Sequence, residues 1–284
     1  MNNLNPILPP SKYIISELFN ANGTCRKYLV QLLAKFTNKL SKDVITKMYH
    51  MIKSGESDQE IIDFLSKNRI QIKAMDSKKR ADRISNILIE FLNKSQIIDN
   101  YLDVGCNNGL ITVEFGKKLG LSSDKIFGID VQNFSEQKII PVDGFVFKQF
   151  DGYHIPYPDN YFDLITCSMT LHHVKYTYIL MAEIRRVLKI NGMILIKEHN
   201  AFSDKIKWLI YLEHMLYDVM DYGITYDNFV EKYYQKTFSQ KQMIELFQEY
   251  ALEPKKISDQ KFLNKYHYNN PTQSYYALFV KFDI

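Results

Sequence analysis

The chain has 284 residues, 46% of them hydrophobic and 24% charged, and its formal net charge is +4. This composition is that of an ordinary globular protein, and it excludes a low-complexity, disordered or collagen-like chain. The mild positive charge permits a nucleic-acid partner without requiring one. The cysteines, Cys25, Cys106 and Cys167, show no C-x-x-C spacing, which excludes a disulfide framework and favours a reducing compartment.

The N-terminal stretch "MNNLNPILPPSKY" lacks the charged start and the apolar core of a signal peptide. Apolar runs along the chain stay below the roughly 18 residues that a membrane span needs. We therefore expect a cytoplasmic protein without a membrane span.

Residues 1–95 show helical periodicity and no clear strand. In "CRKYLVQLLAKF" the apolar residues fall on one helical face. In "SDQEIIDFL", Ser57 and Glu60 have the spacing of a capping box. A third helix is expected over "SKKRADRISNILIEFLNK". We interpret residues 1–95 as a helical cap or lead-in segment.

From residue 100 onward, short β runs alternate with helical runs. The predicted strands are "NYLDVG", "KIFGIDV", "GFVFKQFD", "YFDLITCSM", "GMILIKEHN" and, at the end of the chain, "QSYYALFVKF". Alternation at this spacing predicts an α/β fold with parallel strands and crossover helices, which binds its ligand at the carboxyl ends of the strands. We assign residues 96–284 to this domain.

A long amphipathic helix, "KIKWLIYLEHMLYDVMDYG", follows the last of the alternating strands. We interpret residues 201–235 as a helical insertion on the substrate side, where it would form a lid together with residues 1–95. Its tyrosines are expected either to line an aromatic pocket or to fill a core; they are Tyr211, Tyr217, Tyr222 and Tyr226.

The turn in "YLDVGCNNGL" has the character of a ligand site. Asp103 precedes Gly105, and Gly109 opens a helix, so that the backbone can approach a ligand closely. Asp130 ends the next strand, where an acid commonly accepts both hydroxyls of a ribose. Two carboxylates would therefore face one crevice.

Two nucleoside cofactors compete for this crevice. A dinucleotide needs G-x-G-x-x-G, which is absent, and the charge of Asp103 would repel a pyrophosphate. S-adenosyl-L-methionine carries a sulfonium and an ammonium group and no phosphate, so it suits the acid better. A nicotinamide-dependent oxidoreductase is the alternative that NAD binding would revive.

The chain resembles the class I S-adenosylmethionine-dependent methyltransferases, especially the type 11 group. The resemblance covers about residues 100–200 and rests on four motifs in order: "LDVGCNNG", "GIDV", "FDGYHIPYPDNYFDLITCSMTLHHV" and "EIRRVLKINGMILI". It implies a Rossmann-like, mostly parallel seven-stranded sheet with helices on both faces. One departure is Asn107, which stands where a glycine is usual.

The resemblance also implies the cofactor-binding residues. Gly105 and Gly109 would line the methionine part beside Asp103, and Asp130 would hold the ribose. Five further residues would contact the adenine, the sulfonium or the cofactor carboxylate: Val131, Asp151, Gly152, Ser168 and Arg83. Arg80 is an equal candidate for the contact with the carboxylate. Asp151 could instead be an ordinary turn residue, and Arg83 a solvated helix charge.

Methyl transfer to an oxygen requires alignment of donor and acceptor and removal of a proton. Histidine titrates in the right range, and "KEHN" ends the fifth predicted strand. We predict His199 as the general base, oriented by Glu198 or Glu213, with His173 and His214 in reserve. His172 is expected to be packed and structural.

The predicted acceptor is a small hydroxylated or amino molecule, methylated on oxygen or nitrogen, and no metal is predicted. A cluster of these histidines with Glu198 could instead hold a divalent ion. The exit "CSMT" of the fourth strand argues against methylation of base amino groups. The basic cluster Lys78, Lys79, Arg80 and Arg83 leaves an RNA or cap-type acceptor open, as well as a protein acceptor or an inactive cofactor-binding subunit.

Overall fold

The computed structural model of the protein describes residues 11–21, 23–69, 77–92, 96–131, 141–259, 262 and 270–283. The chain forms two compact units. Within the described ranges, the helical unit comprises residues 11–69, 199–239 and 270–274. The sheet unit comprises residues 77–198, 240–262 and 275–283.

The sheet has seven strands. They are β1 (Tyr101–Val104), β2 (Ile126–Asp130), β3 (Val146–Gln149), β4 (Phe162–Ser168), β5 (Leu188–His199), β6 (Leu252–Ile257) and β7 (Ser274–Lys281). Their order is β3-β2-β1-β4-β5-β7-β6. The pairs from β3 to β5 are parallel, and β6 pairs with β7 antiparallel. The predicted Rossmann-like, mostly parallel seven-stranded sheet is confirmed.

The helices of the described residues fall into both units. They are α1 (Ile14–Asn20), α2 (Thr24–Thr37), α3 (Lys42–Ser54), α4 (Asp58–Asn68), α5 (Ser77–Phe91), α6 (Leu110–Lys118), α7 (Thr177–Val187), α8 (Asp204–Leu216), α9 (Tyr226–Lys232) and α10 (Gln240–Gln248). None of these described helices combines the length and the apolar character that a membrane span requires.

Strand β1 lies between β2 and β4 in the interior of the sheet, and all residues of β1 and β2 are buried. Strands that are covered on both faces read as apolar runs, which is why "YLDV" and "IFGID" are recognisable in the sequence. Asp103 is the polar exception in β1, and it lies opposite Thr166 of β4. That register decides the environment of the carboxylate.

The helical unit has its own hydrophobic core. Apolar residues from α1 to α4 pack together with apolar residues of α8 and α9. Those without measurable exposure include Leu29, Leu32, Met48, Ile52, Ile61, Ile62, Leu65, Leu209, Ile210 and Met215. The insertion predicted at residues 201–235 therefore shares a core with the N-terminal helices.

Caps define the ends of the N-terminal helices. The predicted capping box of α4 is present, with Ser57 and Glu60 bonded reciprocally. Asp58 is buried, and its two carboxylate oxygens accept the backbone N–H groups of Ile14 and Ile15, both at 2.9 Å. A side chain of α4 thus satisfies the otherwise free donors at the start of α1.

Helix α8 does not continue regularly to residue 222, as the sequence pattern suggested. It passes into a π-helical segment, Tyr217–Tyr222, which ends at Gly223 with a φ of 73°. The Arg69 guanidinium donates to the carbonyl oxygen of Val219 at 3.4 Å and occupies the space that a Cβ of Gly223 would need. The segment is thereby tied to the end of α4.

The aromatic side chains of the insertion divide between a core and the surface. Tyr211 is buried, and its ring contacts the rings of Phe229 and Tyr233. Tyr222 is 66% exposed. Tyr211 is therefore part of an aromatic core rather than of the wall of a pocket.

The division into two units does not follow the domain boundary expected at residue 95. Helix α5 belongs to the sheet unit, where it contacts α6 through, among others, the ion pair between Lys118 and Asp82 at 2.7 Å. Residues 199–239, assigned to the second domain from the sequence, belong to the helical unit. Helical periodicity alone did not distinguish α5 from the helices before it.

Candidate active site

Asp103 is a buried carboxylate near the carboxyl end of β1. It accepts hydrogen bonds from the hydroxyls of Thr112 at 2.6 Å and Thr166 at 2.7 Å. Because Thr166 donates to Asp103, the Tyr101 hydroxyl must donate to Thr166, at 2.7 Å. Burial raises the pKa of Asp103 to about 6, against the effect of the two hydroxyl donors, and the charge of Asp130 adds to the rise.

The turn after β1 requires its two glycines. Gly105 and Gly109 have φ angles of 77° and 79°. A Cβ at Gly105 would collide with the side chain of Thr170, and one at Gly109 with the ring of Phe145. The packing of Thr170 and Phe145 against the turn therefore requires the glycines, and the close approach of a ligand to this backbone stays a prediction.

Asn107, which departs from the usual glycine, fits this turn. Its φ is 50°, a left-handed value that asparagine tolerates better than most residues. Its side-chain oxygen accepts the N–H of Asn108 at 2.6 Å. Its own N–H donates to a carboxylate oxygen of Asp130 at 2.8 Å. The departure therefore preserves the shape of the turn.

Asp130 is the buried last residue of β2, and Val131 after it is 54% exposed. The carbonyl oxygen of Asp130 accepts the N–H of Phe150 at 3.1 Å. A Cβ at Gly152 would lie 3.2 Å from a methyl group of Val131. The structure thus brings together the residues expected on the ribose and adenine side.

Asp151 is exposed and closes its own turn. It accepts the N–H groups of Tyr153 at 2.8 Å and His154 at 2.7 Å, and it lies 2.6 Å from Nδ1 of His154. The hydrogen bonds from His154 lower the pKa of Asp151 to about 2. These contacts are typical of an ordinary turn residue, which was the alternative to adenine binding for Asp151.

The turn that follows β4 is held by Glu198. Met169 has a φ of 57°, which is rare for a residue with a bulky side chain. Its N–H donates to the backbone carbonyl oxygen of Lys197 at 2.7 Å. One oxygen of Glu198 accepts the N–H groups of Thr170 at 3.1 Å and Leu171 at 2.9 Å. The other lies 2.5 Å from Nδ1 of His172.

The contacts of Glu198 change its expected role. The carboxylate is buried and engaged with the turn after β4, so it positions Thr170 against Gly105 rather than orienting His199. His172 is buried beside it, as the structural interpretation of that residue expected, whereas the ring of His173 is exposed. Ser168, the residue expected beside the sulfonium, begins this turn.

Replacing Glu198 by alanine is expected to lower the free energy of unfolding by about 2–4 kcal/mol, because buried donors would lose their acceptor. Glu198→Gln keeps an amide oxygen for the two N–H groups and is expected to cost roughly half as much. Urea denaturation measures both, and amide hydrogen exchange at Thr170 and Leu171 localises the change. The exposed Glu245→Ala serves as the control, and equal stability of all three variants would contradict this role.

His199 ends β5 and is only 4% exposed. Its Nε2 atom lies 4.0 Å from a carboxylate oxygen of Glu213, and its ring centroid lies 5.6 Å from that of His214. His214 donates from Nδ1 to the carbonyl oxygen of Ile210 at 2.8 Å. Glu213, one of the two acids expected to orient His199, therefore lies close to its ring.

Glu213 is held by two donors from distant parts of the helical unit. Lys35 of α2 donates to one oxygen at 2.7 Å, and Thr272 donates to the other at 2.8 Å. Burial alone would raise the pKa of Glu213, but the charge and hydrogen bond of Lys35 outweigh it and lower the pKa. Glu213 therefore remains ionised beside His199.

The remaining sequence candidates take simple positions. Arg83 and Arg80 are exposed on α5. Cys106 and Cys167 are buried, and burial raises the pKa of both thiols, which makes them inert rather than nucleophilic.

Sequence reasoning missed the residues that support the site. Thr166 had a detectable signal, since a hydroxyl on a strand adjacent to an acid-bearing strand is a natural partner for the acid. Lys35 and Thr272 had none, because they lie 178 and 59 residues from Glu213 along the chain.

The residues around the first turn fit S-adenosyl-L-methionine. The two buried carboxylates, Asp103 and Asp130, favour a cationic ligand that carries a ribose. The sheet order is that of a Rossmann-like fold, and the acids that β1 and β2 carry toward their carboxyl ends lie where such folds bind a nucleoside.

Comparison with known proteins agrees with this class. Residues 102–196 match the sequence model of a methyltransferase domain family, type 11. This stretch of the chain, about a third of its length, is therefore similar to the methyltransferase domains of that family.

Two curated relatives match this region. The uncharacterized methyltransferase YcgJ of Bacillus subtilis is 29% identical over 109 residues, which cover 37% of this chain and 42% of the relative. The ubiquinone/menaquinone biosynthesis C-methyltransferase UbiE of Paraburkholderia xenovorans is 36% identical over 74 residues, which cover 26% of this chain and 28% of the relative. The chain thus spans less than half the length of these relatives.

Two solved structures share the fold. The methyltransferase in complex with the Trm112 methyltransferase activator of Haloferax volcanii has a TM-score of 0.52 and 12% identity, covering 78% of this chain and 98% of its own. An S-adenosylmethionine-dependent methyltransferase from Mesorhizobium loti has a TM-score of 0.50 and 12% identity, covering 72% of this chain and 100% of its own. At such identities the likeness concerns the fold alone.

Proposed function

We propose that the protein is an S-adenosylmethionine-dependent methyltransferase that transfers a methyl group to an oxygen or nitrogen atom of a small molecule. The observation that carries the acceptor chemistry is the buried His199, 4.0 Å from the ionised Glu213, at the end of β5. In a parallel sheet of this kind, ligands bind at the carboxyl ends of the strands.

When bound, the cofactor would supply a methyl group on a sulfonium: the acceptor's lone pair would form a bond to the methyl carbon while the carbon–sulfur bond breaks and S-adenosylhomocysteine leaves. Asp103 and Asp130 would bind and orient the cofactor, and the turn at Gly105 and Gly109 would keep it close to the backbone. His199 would take the proton that the acceptor oxygen or nitrogen loses, and Glu213 would stabilise the resulting imidazolium. General bases of this kind contribute roughly 10²–10⁴-fold to rate.

The expectation that residues 1–95 and 201–235 cover the acceptor stays a prediction. Within the helical unit, Lys35 of α2 donates to Glu213, which lies beside His199. Helix α2 thereby supports the residue that would stabilise the protonated base.

A nucleic-acid acceptor is the alternative within the same chemistry. The basic residues that suggested it, Lys78, Lys79, Arg80 and Arg83, are exposed on α5. An exposed cluster on a helix is commonly a solvated face, so we favour the small molecule. Because the relative UbiE is a C-methyltransferase of ubiquinone/menaquinone biosynthesis, a carbon acceptor is a further outcome that the test must distinguish.

The proposal is tested with radiolabelled S-adenosylmethionine and a panel of small alcohols, phenols and amines, each also supplied as a carboxylate analogue, together with RNA and a protein mixture. Label transfer to an alcohol, phenol or amine is expected. Transfer to RNA or protein alone would contradict the small-molecule acceptor. Cofactor binding without transfer to any acceptor would instead indicate an inactive cofactor-binding subunit.

The affinity for S-adenosylmethionine is expected to depend on the ionisation of Asp103. Burial raises the pKa of Asp103 to about 6, and its ionised form favours the cationic cofactor. A ligand that prefers the ionised form loses affinity as the pH falls through that pKa, approaching about tenfold per pH unit below it.

Calorimetric titrations from about one pH unit above this pKa to about one unit below it measure the effect. Asp103→Asn is the matched control, with weaker binding at the higher pH and a flat profile across the range. A flat profile of the wild-type protein would show that Asp103 does not carry the charge that binds the cofactor.

A further inference from the structure

Tyr275 has a buried hydroxyl that makes no hydrogen bond to the described residues of the sheet. It is the second residue of β7, the strand next to β5, and it is 3% exposed. Its hydroxyl has no hydrogen-bond partner among the residues that the structure describes. Native proteins leave few buried polar groups unsatisfied, and each such group calls for a physical reason.

Tyr101 shows what a structural tyrosine in the same sheet looks like. It is fully buried on β1, and its hydroxyl is bonded to Thr166 at 2.7 Å. The sheet thus satisfies a tyrosine hydroxyl where the hydroxyl serves the fold. Both tyrosines are buried on strands, but only the hydroxyl of Tyr101 is accounted for by a hydrogen bond within the sheet.

The start of β7 lies beside the end of β5. The N–H of Asn200, directly after β5, donates to the carbonyl oxygen of Gln273, two residues before Tyr275, at 3.2 Å. Burial, and next the charge of Glu198, raise the pKa of Tyr275, so its hydroxyl stays protonated and can donate.

Glu198 does not accept from this hydroxyl. Its oxygens accept from Thr170 and Leu171 and contact His172, and the Tyr275 hydroxyl has no hydrogen bond to them.

We propose that the Tyr275 hydroxyl donates a hydrogen bond to the methyl acceptor, and that the acceptor presents a neutral oxygen or nitrogen lone pair to it. Because the charge of Glu198 acts on the same place, a hydroxyl, carbonyl or amide group fits, whereas a carboxylate or phosphate would be repelled. This inference rests on the proposed function and names the class of acceptor for it.

Stability measurements distinguish a ligand-binding hydroxyl from a structural one. Tyr275→Phe removes a buried group without a partner and is expected to leave the melting temperature unchanged or raise it. Tyr101→Phe, the matched control, loses a hydrogen bond and is expected to lower the melting temperature by about 2–4 °C. A loss in Tyr275→Phe as large as that in Tyr101→Phe would overturn the inference.

Kinetics supply the second arm. With the acceptor that the panel identifies, Tyr275→Phe is expected to raise KM for the acceptor at least about tenfold, while affinity for S-adenosylhomocysteine stays within about twofold. An unchanged KM, or a preference for carboxylate analogues, would overturn the inference. A wild-type protein that neither binds S-adenosylhomocysteine nor turns over the panel would refute the proposed function instead, and the stability comparison would still decide the role of Tyr275.

Discussion

Replacing His199 by alanine is expected to lower turnover by about 10²–10⁴-fold, because the acceptor would lose the base that takes its proton. Affinity for S-adenosylhomocysteine should remain close to that of the wild-type protein, since the cofactor is assigned to the residues of β1, β2 and β4. Single-turnover kinetics with the identified acceptor measure the first quantity, and calorimetry measures the second.

The controls for His199 use other residues of the helical unit. His50→Ala changes an exposed histidine of α3 and should leave turnover unaltered. Glu213→Gln removes the charge beside His199 and should give an intermediate loss, because the imidazolium would be less stabilised. Unchanged turnover in His199→Ala would remove this residue from the chemistry, and a parallel loss of cofactor affinity would assign it to binding.

Replacing Asp130 by alanine is expected to weaken binding of S-adenosylhomocysteine by about 10²–10⁴-fold. The estimate follows from two charge-assisted hydrogen bonds to the ribose hydroxyls, each worth about 1.5–3 kcal/mol. Calorimetric titration gives the affinity, and circular dichroism verifies that the variant is folded.

Asp130 also accepts the N–H of Asn107, so its removal could act through the turn as well. Asp130→Asn retains an oxygen for that N–H and separates the two effects: it should preserve the turn but still bind at least about tenfold more weakly than the wild type. Asp124→Ala, an exposed acid just before β2, serves as the control. Wild-type affinity in Asp130→Ala would show that the ribose lies elsewhere.

The order of elements in the sheet could be predicted from the sequence because each relevant signal is local. Apolar runs such as "YLDV" and "IFGID" are buried strands, and each ends at a glycine or an acid that marks the turn. Strand β6, "LEPKKI", was missed because a proline and charged residues dilute its pattern, and it gains its place by pairing with β7. The two compact units have no such local signal in the sequence, since helix periodicity does not reveal which neighbour a helix packs against.

In the candidate site too, residues with a local sequence signal could be predicted, and residues whose partners are distant in the sequence could not. Asp103, Gly105, Gly109 and Asp130 are found by a motif, and the structure gathers them at one turn. The part played by Glu198 could not be deduced, because its partners come from the turn after β4 and are reached only when β4 and β5 pair. The role of Lys35 is even harder to predict from the sequence, since its hydrogen bond to Glu213 depends on how the helical unit packs.

The central claim is that the turn between β1 and α6, together with Asp130, binds S-adenosylmethionine. Calorimetric titration of the purified protein with S-adenosylhomocysteine, with NAD as the control ligand, tests it most directly. The account predicts saturable binding of S-adenosylhomocysteine, its loss in Asp130→Ala and no binding of NAD. Binding of NAD, or no binding of S-adenosylhomocysteine to the folded wild-type protein, would contradict it.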